Sequence, residues 1–424
     1  MLELRGFYEN ELTNDILPFW MERCLDAEHG GDFNCYDNAG VRLMSRDKYT
    51  WSQGRFVWMF ARLSQMERLF RRGERERFLG YAKSGADFLM EHCLLPGEPL
   101  RCAFLMDETG APKKTSGWDD LDMSIYADCF VICGLSRYAA AAGDEKAYGF
   151  ASRLYASCLE RLASGGFKTL PYPLSPGFRA HGIPMIFSNV AMELSRAARA
   201  FGDGREARLE LDAHGFSSTV LTDFADENDV IHEVIKDDGS FFGGLLGEHS
   251  NPGHTLEDMW FVADAADACG DGTMAEKAAR CAKKALETGW DEELGGLLHF
   301  ASVHGGVPDA PAAGYDGEPT VKLVQGGWGD KLWWVHSEAL YTTLLFYLRT
   351  GDAEFLRWHD RVFGYVFSHF PNKDREVREW IQILKRDGSP QDKVVALPVK
   401  DPYHITRDLT LIIDLLDAAL NETP

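Results

Sequence analysis

No stretch of about eighteen consecutive apolar residues occurs in this 424-residue chain, so no segment reads as a membrane span. The first residues, Met1-Leu2-Glu3-Leu4-Arg5, lack the basic-then-apolar order of a secretory signal. Nine cysteines are scattered without a single C-x-x-C pair, which speaks against a zinc knuckle or redox motif and for reduced thiols in a cytoplasmic protein. Positive charge is in short supply. Forty-four Lys and Arg against sixty-six Asp and Glu leave a formal charge of −22, a field that repels phosphate backbones and anionic lipid. Also missing are a Walker loop, a G-x-G-x-x-G turn, an H-E-x-x-H helix and a G-x-S-x-G elbow. His299 and His304 lie five apart with no carboxylate cluster, so no metal site is expected.

What the chain holds in quantity is apolar and aromatic side chains, 45% and 12% of residues, enough for a large core. Apolar residues recur at three- and four-residue spacing in twelve stretches, near 10–27, 49–69, 73–92, 124–142, 145–164, 186–201, 205–224, 254–269, 273–288, 334–349, 353–370 and 404–421. In the second, Phe56, Met59, Phe60, Leu63 and Met66 share one helical face; in the last, Leu409, Ile412, Leu416 and Leu420 do. Glycine-bearing segments punctuate alternate helices. Leu25-Asp26-Ala27-Glu28-His29-Gly30-Gly31-Asp32-Phe33 is similar to Trp290-Asp291-Glu292-Glu293-Leu294-Gly295-Gly296-Leu297-Leu298. Gly165-Gly166-Phe167, Phe242-Gly243-Gly244-Leu245 and Trp380-Ile381-Gln382-Ile383 share a weaker form. In each, a helix is expected to end and a tight turn to open a short β-hairpin. Twelve helices in six pairs can close into a double-layered ring; an open solenoid is the alternative, but solenoids keep more uniform periods. No linker divides the chain, so 1–424 reads as one domain. The Gly-, Pro- and Ala-rich stretch 304–320 reads as a surface loop, and 94–123 as a long connection whose acidic run Asp119-Asp120-Leu121-Asp122 leads into a helix N-terminus.

Two of the thirteen histidines stand in contexts suited to proton transfer. His254 follows a Pro-Gly turn at a helix start, and Glu257, three positions on, shares its face and is expected to orient its ring. His404, in Asp401-Pro402-Tyr403-His404-Ile405-Thr406-Arg407, again enters a helix from a loop. From context alone each reads as a capping or structural residue as readily as an active-site group. Trp51, Phe56 and Trp58 surround Gln53-Gly54-Arg55, and Trp333-Trp334 precede His336 and Glu338, a supply of rings for sugar stacking or for core packing. Consecutive tryptophans point to different faces, so one of Trp333 and Trp334 is expected in a site and the other in the core. Arg55, in an apolar helix, requires an acidic partner or a ligand oxygen. Asn189 is a lone amide in an apolar run.

These segments resemble the N-acylglucosamine 2-epimerase family, which includes cellobiose 2-epimerases and mannose isomerases. The resemblance runs through Trp51-Ser52-Gln53-Gly54-Arg55, Asn251-Pro252-Gly253-His254-Thr255-Leu256-Glu257, Gly289-Trp290-Asp291, Lys331-Leu332-Trp333-Trp334-Val335-His336-Ser337-Glu338-Ala339, Glu379-Trp380 and Tyr403-His404-Ile405-Thr406-Arg407. It implies an all-α fold, an (α/α)₆ barrel with short β-hairpins in its connecting loops, and no metal or redox cofactor. It implies His254 and His404 as the acid/base pair, Arg55 and Asn189 as pocket residues, and Glu257 and Glu338 as acidic partners. Trp333 or Trp334 would be the stacking ring, with Arg407 a further substrate-binding residue. Cellobiose epimerases and mannose isomerases tend to carry a further His one turn after the pocket asparagine, where this chain has Glu193; Asn251–Glu257 lies closer to the N-acylglucosamine branch.

Two histidines on opposite faces of C2 give epimerisation; one face, with proton delivery to C1, gives an isomerase. The expected enzyme is a sugar 2-epimerase on N-acetylglucosamine and N-acetylmannosamine, with an aldose–ketose isomerase or a disaccharide 2-epimerase as alternatives. An inverting glycoside hydrolase would need carboxylates about 6.5–9.5 Å apart and would leave both histidines without a role. A non-catalytic sugar-binding protein would tolerate His254→Ala and His404→Ala. The expected partner is a small sugar, with no cofactor, nucleic acid or membrane, and a homodimer is left open.

Overall fold

Four helices begin where a side chain satisfies the first free backbone N–H groups. Asp144 accepts from Lys146 N and Ala147 N, Asn251 from His254 N, Asp271 from Met274 N and Asp352 from Glu354 N. Several stop on a left-handed glycine, as at Gly143 (φ 70°) and Gly270 (φ 69°). The computed structural model describes residues 1–422; of the expected domain 1–424, residues 423 and 424 lie outside the described residues. In chain order the helices are α1 (Leu2–Asn10), α2 (Leu17–Arg23), α3 (Thr50–Ser64), α4 (Arg72–His92), α5 (Ile125–Ala142), α6 (Glu145–Ser164), α7 (Gly182–Phe201), α8 (Glu206–Thr219), α9 (Pro252–Cys269), α10 (Gly272–Gly289), α11 (Pro319–Gly327), α12 (Trp333–Thr350), α13 (Ala353–His369) and α14 (Tyr403–Glu422).

The alternation of these helices builds the double ring. α3, α5, α7, α9, α12 and α14 pack side by side, and α14 returns to α3, closing an inner layer. α4, α6, α8, α10, α13 and α1 each lie outside one inner helix. The architecture is an all-α (α/α)₆ barrel. Of the described residues, only α5 is long and apolar enough to cross a membrane; 78% of it is buried as an inner stave of this ring.

Boundaries differ from the sequence pattern for identifiable reasons. The helix read from near residue 10 begins at Leu2: α1 runs into a π-helical segment, Glu11–Ile16, and on into α2, which ends at Arg23. α7 starts at Gly182 rather than near 186, because Pro184 in the first turn needs no N–H partner. α8 passes into a π-turn, Val220–Phe224. The loop read as 304–320 ends two residues earlier, at Glu318, where Pro319 opens the short α11.

Four two-stranded antiparallel ladders join the layers: β1 (Lys48–Tyr49) with β2 (Leu105–Met106), β3 (Phe178–Ala180) with β4 (Val234–Lys236), β5 (His249–Ser250) with β6 (Ala301–Ser302), and β7 (Lys331–Leu332) with β8 (Ile383–Leu384). β1, β3, β5 and β7 each feed the N-terminus of an inner helix. The two similar glycine segments are equivalent turns, closed by bridges Leu25↔Asp32 and Trp290↔Leu297. Each holds a fully buried lysine. Lys48 Nζ donates to Asp26 Oδ2 and Gly30 O (both 2.7 Å), and Lys331 Nζ to Asp291 Oδ2 (3.1 Å) and Gly296 O (3.2 Å). The expectation for Phe242-Gly243-Gly244-Leu245 is corrected, since no helix ends there. The turn after α8 is closed instead by Ala225↔Ile231, with Asp229 supplying the positive φ (61°) that glycine supplies elsewhere.

α3 and α5 meet backbone to backbone. A Cβ on Gly54 would lie 2.3 Å from Phe130 O, and one on Gly134 2.3 Å from Gly54 O. This contact sets Arg55 at the barrel axis. Gly54→Ala is expected to lower stability by at least about 1–3 kcal/mol through overpacking. Gly80→Ala, whose added Cβ meets nothing within 4 Å, is expected to gain about 0.5–1 kcal/mol. Urea denaturation of the two variants checks both signs.

Candidate active site

All six inner helices start at one rim, and their first turns enclose a cavity of about 120 Å³. α3 contributes Trp51, Ser52 and Arg55, α5 Tyr126 and Phe130, α7 Gly182, Met185 and Ile186, α9 His254 and Glu257, α12 Trp333 and Trp334, and α14 His404. Six helix N-termini, each with partial positive charge, therefore face one small volume and favour negative charge developing there. The strap Val395–Val399 and Tyr172 complete the wall.

On one side stands His404, buried, with Nδ1 2.7 Å from Glu338 Oε1 and Nε2 3.1 Å from Arg55 Nη2. A guanidinium only donates, so Nε2 accepts and the ring proton sits on Nδ1, donated to Glu338. Arg407, 1% exposed, pairs with both Glu257 and Glu338 and lies 3.3 Å from Nδ1, the longer of that nitrogen's contacts. Glu338 Oε2 accepts from Trp260 Nε1 at 2.9 Å. Arg55 meets both needs inferred for it, pairing with Asp401 and facing the cavity, with its guanidinium 4.2 Å from the Phe130 ring centroid. Burial, reinforced by the Arg55 and Arg407 cations against the opposing pull of Glu257, pushes His404 down to about 3. It is a neutral imidazole with a free-standing lone pair directed at Arg55.

On the other side His254 presents Nδ1 to Glu233 Oε2 at 2.9 Å. The expected orienting role of Glu257 is corrected. Its carboxylate turns to Arg407 and lies 3.8 Å from His404 Nδ1, because an unpaired buried Arg407 would cost more than His254 gains. The division of the tryptophans is also corrected: both Trp333 and Trp334 line the cavity, since at a helix start neither ring has a preceding turn to pack into. The Trp334 ring reaches both histidines, 5.4 Å from His254 and 5.6 Å from His404 between centroids. Asn189 is not brought to the lining; it sits buried one turn below Met185 and Ile186. Two carboxylate–histidine groups have metal-ligand spacing, His181/Glu233/His254 and Glu257/Glu338/His404, all within 4.8 Å. Arg407 already occupies the second electrostatically, and hydrogen bonds close the first, so both read as ion-pair networks.

The sequence profile described as N-acylglucosamine 2-epimerase (GlcNAc 2-epimerase) matches residues 31–407. The chain belongs to this family. It is 29% identical over 409 residues to the N-acylglucosamine 2-epimerase of Bos taurus, covering 96% of this chain and 90% of the relative. Identity to a cellobiose 2-epimerase of Ruminococcus albus is 24% over 408 residues, covering 93% and 94%. The solved cellobiose 2-epimerase of Bacillus thermoamylovorans B4167 superposes with TM-score 0.74 at 19% identity, covering 98% of this chain and 100% of that one, and shares the fold. The protein is thus a carbohydrate epimerase by family.

Glu233 and Asp401 escaped the sequence reading. Glu233 had a signal, an acid within Val230-Ile231-His232-Glu233-Val234-Ile235, and Asp401 stood three residues before His404. The strap had none.

Burial is the main cause holding His299, His336 and His404 down at about 3 and His359 at about 4. Their ordinary value is 6.5, so below that pH the unfolded chain binds more protons than the folded one. These four rings therefore contribute stability that is full above pH 6.5 and lost as pH drops toward 4, by up to about 1.4 kcal/mol per pH unit for each ring. Glu11 and Asp32, which burial pushes up to about 7, and Asp128, pushed up to about 6, contribute with the opposite sign and offset this in part. Urea midpoints at pH 7 and pH 5 measure this.

Proposed function

We propose that this family member inverts C2 of a 2-acylamino sugar, interconverting N-acetylglucosamine and N-acetylmannosamine. The observation that carries the reading is the pair of imidazoles. Each gives Nδ1 to a carboxylate and both border the same cavity against Trp334, where Nε2 of His404 accepts from Arg55, itself a cavity residue. A C2 proton beside an open-chain aldehyde is weakly acidic, so its removal needs a placed base and a stabilised enediolate. One histidine, entering neutral, takes the C2 proton on Nε2 and becomes the imidazolium. Arg55 and the six helix N-termini offset the charge on the C1 oxygen. The other histidine, entering as the imidazolium, gives its Nε2 proton to the opposite face and is left neutral. Glu338 and Glu233 stabilise the imidazolium formed in each half of the cycle, as a buried carboxylate does behind any catalytic imidazole.

Three features support the acylamino sugar. The relative named N-acylglucosamine 2-epimerase is closer in sequence than the cellobiose 2-epimerase. Met185, Ile186, Val395, Leu397 and Val399 form an apolar wall suited to an acetyl methyl group. Glu193 is held by Arg137 (2.6 Å) and Arg196 (2.7 Å) and offers the cavity no ligand.

NMR in D₂O with N-acetylglucosamine, N-acetylmannosamine, mannose and cellobiose tests the reading. Deuterium is expected at C2 of both acylamino epimers, with inversion. His254→Ala and His404→Ala are each expected to lose inversion by about 10²–10⁴-fold while still exchanging the C2 proton of one epimer, a different one in each variant. A ketose product would reassign the chain to aldose–ketose isomerisation, and absence of exchange with every sugar would refute proton transfer at C2.

A further inference from the structure

Behind each catalytic imidazole stands a carboxylate, and behind each carboxylate a cation of a different kind. Glu338 is neutralised by Arg407, a permanent charge. Glu233, which holds His254 through Oε2, is met at Oε1 by His181 Nδ1 at 3.1 Å. The other nitrogen of His181, Nε2, lies 2.7 Å from Asp258 Oδ2. The four groups come from three places in the fold: His181 immediately precedes α7, Glu233 begins the run into β4, and His254 and Asp258 lie one turn apart on α9. His181 and Asp258 are 0% exposed, and Glu233 is buried.

An imidazole whose two nitrogens both face carboxylate oxygens must donate from both, or one carboxylate must carry the proton. Either way one extra proton is trapped in this cluster. Burial opposes charge on His181, but the hydrogen bonds it donates to Asp258 and Glu233 and their negative charges outweigh it and push His181 up to about 10. Glu233, despite burial, is driven well below the usual carboxylate range by His254 and His181. The picture is a cationic His181 between two carboxylates, with Glu233 left as an anion whose charge is shared between two rings.

We infer that Glu233, His181 and Asp258 are positioning residues forming a relay, Asp258–His181–Glu233–His254, which orients His254 with its proton on Nδ1 and supports only the half of the reaction that passes through His254. This rests on the proposed C2 proton transfer. Glu233 holds the ring through Nδ1 and so turns Nε2 toward the cavity. His181 holds Glu233 in place and tempers its charge, and Asp258 keeps His181 protonated. The His404 half has its own carboxylate and cation, Glu338 and Arg407, and the relay meets it only through the charge of Glu257, the neighbour of Asp258 that pairs with Arg407.

The test compares the wild-type protein with Asp258→Asn and Glu233→Gln. In ¹⁵N-histidine spectra at pH 7, wild-type His181 is expected to be protonated on both nitrogens and His254 to carry a proton on Nδ1; in Asp258→Asn, His181 is expected to lose one proton. In D₂O, exchange of the C2 proton of the epimer served by His254, identified as the one still exchanged by His404→Ala, is expected to fall about 10- to 100-fold in both variants. Exchange of the other epimer is expected to stay within about two-fold, measured at a temperature at which circular dichroism shows both variants folded. A singly protonated His181 in the wild type overturns the relay, as does an equal loss, or no loss, in the two exchange reactions. If the wild type exchanges no sugar proton, the C2 reading fails while the nitrogen spectra still decide the relay.

Discussion

An arginine buried on the axis of a helical barrel cannot stand without carboxylates, and the placement of the catalytic groups follows from that constraint. Arg407 is 1% exposed and draws Glu257 from α9 and Glu338 from α12 toward α14. Removing either partner would leave charge uncompensated in a dry interior, a loss of about 3–5 kcal/mol. Because Glu338 is held by Arg407 on one oxygen and Trp260 on the other, the oxygen facing His404 has one position, and the ring one tautomer. Arg55 with Asp401 then fixes the second nitrogen. The site is rigid because its charges have no other way to be satisfied.

The same logic recurs away from the cavity. Lys48 with Asp26 and Lys331 with Asp291 pin two equivalent hairpins to the strands feeding α3 and α12. Lys400 pairs with Glu379 and bonds Trp380 O beneath the strap that ends at Asp401. Each buried lysine ties a connection to the start of an inner helix. Those helix starts carry the chemistry, so the ion pairs that stabilise the loops also register the active site.

The two imidazoles are alike at the cavity and unlike behind it. The His404 side chain is 6% exposed and backed by a permanent cation; the His254 side chain is 24% exposed and backed by a titratable one. A reaction that takes a proton from one face and returns it to the other needs two groups of matched reach, not of matched environment. That difference arises from the fold, since the carboxylate behind His404 comes from the inner helix α12, whereas the one behind His254 comes from Glu233 in the connection leading into β4.

Periodicity alone located eleven of the twelve barrel helices, because each inner helix must bury apolar residues at helical spacing whatever its neighbours are; α1 (Leu2–Asn10) lies before the stretch read near 10–27. The two glycine-containing turns were equally plain, since a chain reversal after a helix needs residues tolerant of positive φ. The motifs around Arg55, His254, Glu338 and His404 were recognisable for a related reason: loop-to-helix starts with charged residues in apolar surroundings are rare enough to stand out. Pairing was another matter. Spacing of three assigned Glu257 to His254, yet the carboxylate answers to Arg407, 150 residues away in sequence. Glu233 reaches His254 across 21 residues, Asp401 reaches Arg55 across 346, and the strap at 395–399 covers the cavity from a segment with no pattern at all. Local sequence dictates which backbone conformations and faces are favourable. Which charge neutralises which is settled only when closure of the ring excludes water and leaves each ion the partner it can reach.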